Sequence, residues 1–328
     1  MEDTSVAFDF TNNYETDYSP WNGYIEYDLN LYILVVTSYI FFFVTFILGT
    51  IGNGLVIWIT GFKMKKTVTT IWFLNLAVAD FALSVSIPLQ MFMVNVIVKV
   101  LFNLIICKAI TTLLLLNMSV STSFLMIISI DRCTSVMCPV WSQNHRTLKL
   151  SSVISAVVWA FCFILNSPYL AFMDFVHDRI GNISDCVAIY GEDYYTSHMR
   201  ITAMYITRFV FMFIIPFSII IICYSLVTFR LRRSRSVSGS RRPFKVIITI
   251  VICFFCFWFP YHLLSLLEIM NAEISENVWF TMNIITYFLC FFNSCVNPII
   301  YVFVGRDFKK ILFKSIPFLL ESTFRERY

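Results

Sequence analysis

Seven long apolar stretches dominate this chain, at approximately residues 31–61, 68–98, 104–136, 149–172, 200–230, 244–270 and 278–304. A helix of about 20 apolar residues crosses about 30 Å of hydrocarbon, and each stretch reaches that length. Transmembrane barrel strands would instead show about 10 residues of alternation. In lipid a helix satisfies its own backbone polar groups, so an apolar stretch of this length has one stable solution. Only 13% of the 328 residues are charged and 59% are hydrophobic, too little charge to clothe a water-facing surface. The expected fold is therefore an all-α membrane protein, a seven-transmembrane helix bundle. The third stretch is the least apolar at its centre (Asn117, Ser119, Ser121, Thr122, Ser123), which marks a helix buried among the others.

Lys and Arg set the orientation. None occurs before Lys63, whereas Lys63, Lys65 and Lys66 follow span one and Arg146 and Lys149 follow span three. Seven more lie between spans five and six, from Arg230 to Lys245, and the end of the chain adds Arg306, Lys309, Lys310 and Lys314. The positive-inside rule places all of these in the cytoplasm, with the N-terminus outside and the C-terminus inside. No cleavable signal peptide is visible, so span one is expected to act as its own signal anchor. On this topology most cysteines fall within spans, where they behave as small hydrophobes. Cys107 and Cys186 face the oxidising side and are expected to form a disulfide. Asn182-Ile183-Ser184 is a glycosylation sequon on the outer side, in a loop of roughly 173–199.

Flanking segments divide the chain further. Residues 1–30 form an acidic outer tail with seven Asp and Glu and no Lys or Arg. Such a tail is either a solvated, disordered segment or an electrostatic lure for a basic ligand, strengthened if its tyrosines are sulfated. Serines among the arginines of 233–242 read as a solvated basic loop, as phosphorylation targets, or as both. Residues 305–316 place Phe308, Ile311 and Leu312 on one face and lysines around the rest, an amphipathic eighth helix along the inner leaflet. Residues 317–328 are a cytoplasmic tail.

Polar groups inside spans point to function. Asp80 lies mid-span, and Asn53, Asn117, Ser121, Asn293 and Asn297 offer amides and hydroxyls at similar depth. One carboxylate among neutral oxygens suits a small monovalent cation or, alternatively, a water network around a protonated acid. Asp131-Arg132 closes span three, a charged pair at a helix mouth that needs a partner and a purpose. Pro216, Pro260 and Pro298 interrupt spans five, six and seven, each removing a backbone donor. Trp258 and Tyr301 stand beside these interruptions, which together describe a switchable bundle. No His-Glu-x-x-His, phosphate loop or Gly-x-Ser-x-Gly elbow is present, and no enzyme activity is expected.

These residues carry a family resemblance. Gly52-Asn53, Leu76 to Asp80, Asp131-Arg132-Cys133, Trp159, Pro216 with Tyr224, Trp258 with Pro260, and Asn297-Pro298 with Tyr301 resemble the motifs of rhodopsin-like G-protein-coupled receptors. Within that class Phe62 to Val68, Trp72 to Asp80, Pro139 to Arg146, Pro260-Tyr261-His262 and Tyr301 to Phe308 resemble chemoattractant receptors. The similarity is greatest to the chemerin (chemokine-like) receptors and next to the formyl-peptide receptors. The chain departs from the latter at Leu115, where they carry an acid, and from the wider family at Val100, Asn103 and Phe257.

The resemblance implies a plasma-membrane receptor for a chemoattractant peptide or small protein, acting through inhibitory G proteins in chemotaxis and inflammation. Arrestin and a receptor kinase join the implied partners, and no nucleic acid does. A scavenger that binds and internalises the same ligand is the alternative. Arg132, freed from Asp131, would meet the G protein, with Tyr224 and Tyr301 swinging in and Asn297-Pro298 at the hinge. Asp80, Asn117, Ser121, Asn293 and Asn297 match the family's sodium site; no other cofactor is implied. Arg208, on the outer half of span five, is expected to meet a ligand carboxylate or to pair with Glu268. Tyr261, Tyr287 and Trp258 complete the expected ligand side.

Overall fold

The computed structural model describes residues 29–94, 104–177, 184–188, 191, 193–233 and 242–304. The side chains of Cys186 and Tyr301 lie outside that description, as do Asn182, the acidic tail, the amphipathic segment 305–316 and the end of the chain. The chain divides into two units, Met1–Ser38 and Tyr39–Tyr328, and the bundle is a property of the second.

Among the described residues, seven helices are long and apolar enough to cross a membrane. They are α1 (Leu29–Trp58), α2 (Val68–Val94), α3 (Leu104–Met137), α5 (Leu148–Phe172), the pair α6 (Tyr194–Phe209) and α7 (Ile215–Arg233), α8 (Arg242–Ile269) and α9 (Glu276–Val304). A π turn at Ile59–Lys63 continues α1, and a second at Val210–Ile214 joins α6 to α7. The second has a local cause. Pro216 has no N–H to donate, and the Ile215 N–H reaches back five residues to the Val210 carbonyl.

Two elements lie outside the spans. Pro139 opens a short helix, α4 (Pro139–His145), at a position where its missing N–H costs nothing. Met173–His177 (β1) and Ser184–Ala188 (β2) pair antiparallel, with Phe175 opposite Cys186. The outer loop is thus shorter than the 173–199 expected, because Asp193 starts α6: its carboxylate accepts the Thr196 N–H at 2.8 Å. Just past the C-terminal end of α8, Asn271 adopts a left-handed backbone (φ 48°). The Asn271 and Ala272 N–H groups bond the Glu268 and Leu267 carbonyls, closing that helix as a Schellman motif.

The third span is the axis of the bundle. Two thirds of its apolar window (67%) is buried, against 17% for the fourth span. Its Leu115, Met118, Val120, Phe124, Leu125 and Ile128 join Leu76 of α2 and Trp258 of α8 in one core. Polar side chains lock the helices to one another at chosen heights. Asn166 of α5 donates to Ser119 Oγ at 2.7 Å, and Trp159 of α5 donates to Asn75 Oδ1 of α2 at 3.0 Å. At Gly49 and Gly52 of α1 the helices approach so closely that an added Cβ would lie 2.2 Å from Ser84 Oγ and 2.8 Å from Pro298 Cγ. Asn53 Nδ2 then reaches the Ser294 carbonyl of α9 at 2.7 Å.

Candidate ligand and switch sites

Among the described residues, three polar clusters lie inside this apolar body, one toward each end and one between. The outermost centres on Arg208, in the last turn of α6 and only 5% exposed. Its Nη1 donates to Tyr169 Oη and its Nη2 to Ser265 Oγ, both at 2.8 Å. The Tyr205 and Tyr261 ring centres each lie 4.6 Å from the guanidinium carbon, and that of Tyr169 5.8 Å. Hydroxyls and π faces thus solvate the cation while leaving its charge in place. A cavity of about 310 Å³ between α5 and α6 is lined by Asn166, Tyr169, Thr207, Arg208 and apolar neighbours.

Contacts run inward from this cluster. The Tyr261 ring meets Trp258 edge-on with centres 5.9 Å apart, and Trp258 is fully buried with no partner for its indole N–H. His262 is buried against Phe209, Phe213 and Tyr261, with both ring nitrogens unpartnered. Of the other expected ligand-side residues, Glu268 is exposed near the end of α8, and Tyr287 packs against Phe42 and Phe291.

Midway, Asp80 is fully buried on α2. Asn117 Nδ2 donates to its Oδ1 at 2.9 Å, Ser121 Oγ to the same oxygen at 3.4 Å, and Asn297 Nδ2 to its Oδ2 at 2.7 Å. Asn293 is buried on the same helix as Asn297, with its amide nitrogen unpartnered. Asn117 Oδ1 and Asn53 Oδ1 are also buried without a donor. A carboxylate beside orphaned amide oxygens and a hydroxyl fits a hard monovalent cation, which takes oxygen ligands and needs few charges.

At the inner end, Asp131 is engaged by Arg146 from the residue closing α4, at 2.7 Å to Oδ1 and 2.9 Å to Oδ2. Arg132 donates to Thr69 Oγ1 of α2. Tyr224 is partly buried against the core on α7, and Asn297 and Pro298 are buried on α9. Sequence reasoning missed Arg146 and Thr69 here and Tyr169, Tyr205 and Ser265 above. In the sequence Arg146 reads as one of the charges that orient the chain and as the end of the Pro139 to Arg146 stretch, with no sign of Asp131 as its partner. Ser265 carried a usable signal, four residues after Tyr261 and so on the same helix face.

Residues 52–301 match the model of the 7 transmembrane receptor (rhodopsin family). The chain is 38% identical to chemerin-like receptor 1 of Sus scrofa, over 94% of its own length and 88% of the relative's. It is 40% identical to chemerin-like receptor 1 of Mus musculus, over 89% of this chain and 79% of that one. Formyl peptide receptor-related sequence 4 of Mus musculus is 38% identical, with 90% of this chain and 93% of the relative covered.

Proposed function

Because the chain belongs to the rhodopsin family of seven-transmembrane receptors, G-protein-coupled receptors and not enzymes, we propose that it is a chemoattractant receptor for a peptide or small protein ligand. Its N-terminus faces outward at the plasma membrane. The observation that carries the reading is Arg208, a buried guanidinium ringed by three tyrosines at the outer end of the bundle. A ligand carboxylate would set an opposite charge against the guanidinium and take two parallel N–H bonds, a pairing that its hydroxyl partners cannot offer. Such a rearrangement loads Tyr261, and Tyr261 rests on Trp258. The chemerin-like and formyl peptide names of the relatives agree with a peptide-type ligand.

Below Trp258, Asp80 with Asn117, Ser121, Asn293 and Asn297 would hold a sodium ion, which supplies a fixed positive charge that favours one packing of α2, α3 and α9. The chain's own part is to orient these oxygens through buried helix contacts. At the inner end Arg132, Tyr224 and Tyr301 would receive an inhibitory G protein, with Asn297 and Pro298 as the hinge. Arrestin and a receptor kinase would follow. Cys107 is disulfide-bonded, in keeping with a bridge to Cys186 that holds the outer hairpin, and Asn182 would carry a glycan.

Cells expressing the chain should suppress cAMP in response to one of a panel of chemerin-like, formyl and anaphylatoxin peptides, and pertussis toxin should abolish the response. Suppression that survives the toxin would overturn the inhibitory G-protein assignment. Ligand uptake with silence at every G protein would replace the signalling receptor by a scavenger.

A further inference from the structure

Asp131 has two carboxylate oxygens, and one arginine takes both. Arg146 Nε donates to Oδ1 at 2.7 Å and its Nη2 to Oδ2 at 2.9 Å. The same Nη2 donates to Thr69 Oγ1 at 2.6 Å, and Arg132 Nη2 donates to that hydroxyl too. A single threonine on α2 therefore serves two guanidinium groups, while the carboxylate next to Arg132 in sequence is engaged from another element. The two-pronged geometry is the strong form of an arginine–carboxylate pair. The Asp131 side chain is only 10% exposed, so solvent screens the pair weakly.

We propose that Arg146 is a positioning residue for the cytoplasmic switch: it occupies Asp131, so that Arg132 is retained by Thr69 and not by the neighbouring carboxylate. When Arg132 leaves to meet a G protein, Asp131 keeps its counter-charge. Without Arg146 the same departure would strand a largely buried carboxylate, the costly outcome of breaking a buried pair. The hydrogen bond that opening must break is then the one from Arg132 to the Thr69 hydroxyl. Arg146 in this role sets how readily the receptor opens, and touches neither ligand nor transducer to do so. The inference rests on the G-protein-coupled reading above, and its test separates the two.

The test uses the full chain in lipid nanodiscs as wild type, Arg146→Gln, Thr69→Val, Asp131→Asn and the double variant D131N/R146Q. One readout is agonist-free nucleotide exchange on a panel of purified G proteins. The other, independent of any transducer, is deuterium uptake at the inner ends of α3 and α8. Arg146→Gln frees Asp131 to turn to Arg132; basal exchange should fall about fivefold, and uptake at both inner ends should slow. Thr69→Val should move both readouts the opposite way. On the Asp131→Asn background Arg146→Gln should add nothing, since no carboxylate remains to compete for. Higher basal exchange in Arg146→Gln, unchanged readouts, or an additive effect in the double variant would overturn the role. The expected uptake changes with every G protein silent would uphold the role of Arg146 and remove the coupling reading instead.

Discussion

Asp80 and Arg208 are both buried charges in an apolar bundle, yet they are housed in opposite ways. Asp80 sits among α2, α3 and α9 and receives three directed donors from Asn117, Ser121 and Asn297. Arg208 sits near the outer end, where two hydroxyls and three aromatic faces surround it. Directed donors fix a carboxylate in one geometry, so its site suits a small ion of fixed coordination. Ring faces hold a cation with little directional demand, so the guanidinium there is not tied to one geometry. The difference supports the roles proposed above, tuning for the first and recognition for the second.

The comparison breaks most visibly at Arg208. Arg208→Ala removes two hydrogen bonds made by a charged donor, each worth about 1.5–3 kcal/mol. Transferred to a ligand carboxylate, that loss corresponds to at least a hundredfold drop in potency. Arg208→Lys should recover only part, because an ammonium cannot present the planar fork. Concentration–response curves at matched surface expression measure both. Full potency in Arg208→Ala would end the recognition role and leave a structural cation. Asp80→Asn should act more mildly and differently. It leaves ligand contacts intact, and agonist affinity should lose its sensitivity to replacing sodium with choline, a shift of about tenfold in the wild type. An equal sodium shift in the variant would place the cation elsewhere.

The sequence made the two sites unequally legible. Asp80 was readable because the third span interrupts its apolar run with Asn117 and Ser121, and a membrane helix carries such residues only where they are buried. The expected burial of that span is what the bundle shows. Arg208 was readable as an expensive charge, but its surroundings were not. Tyr205 stands three residues before Arg208 on the same helix, but Tyr169 and Ser265 come from two other helices, and the π turn after Phe209 shifts the phase of Arg208 by a residue against the rest of its span. No period of 3.6 anticipates that shift. The inner cluster failed for a related reason: Asp131-Arg132 reads as a pair because the residues adjoin. Successive helix side chains do not face each other, and Arg146 reaches Asp131 from a loop helix whose docking is tertiary. The outer hairpin was missed because its strands are five residues each and carry no strong alternation.

The smallest expected effect concerns a third charge, on the same helix as Arg208 but in water. Asp193 caps α6, accepting the Thr196 N–H at 2.8 Å. That bond, the Thr196 hydroxyl and the nearby Arg200 charge hold its carboxyl below the usual Asp range. A depressed folded-state value gives stabilisation that is complete above the unfolded value, about pH 4, and fades as pH falls through the folded one. Amide exchange in the first turn of α6, corrected for intrinsic rates, should therefore be flat from pH 7 to about 5 and accelerate below pH 4. Asp193→Ala should show fast exchange at every pH, whereas Asp193→Asn should keep the cap and lose the acceleration. Because the cap is solvated and about four turns from Arg208, ligand potency should change less than about twofold in either variant. A larger loss would mean that the start of α6 positions Arg208, and the recognition site would then reach from the core to the water-exposed mouth.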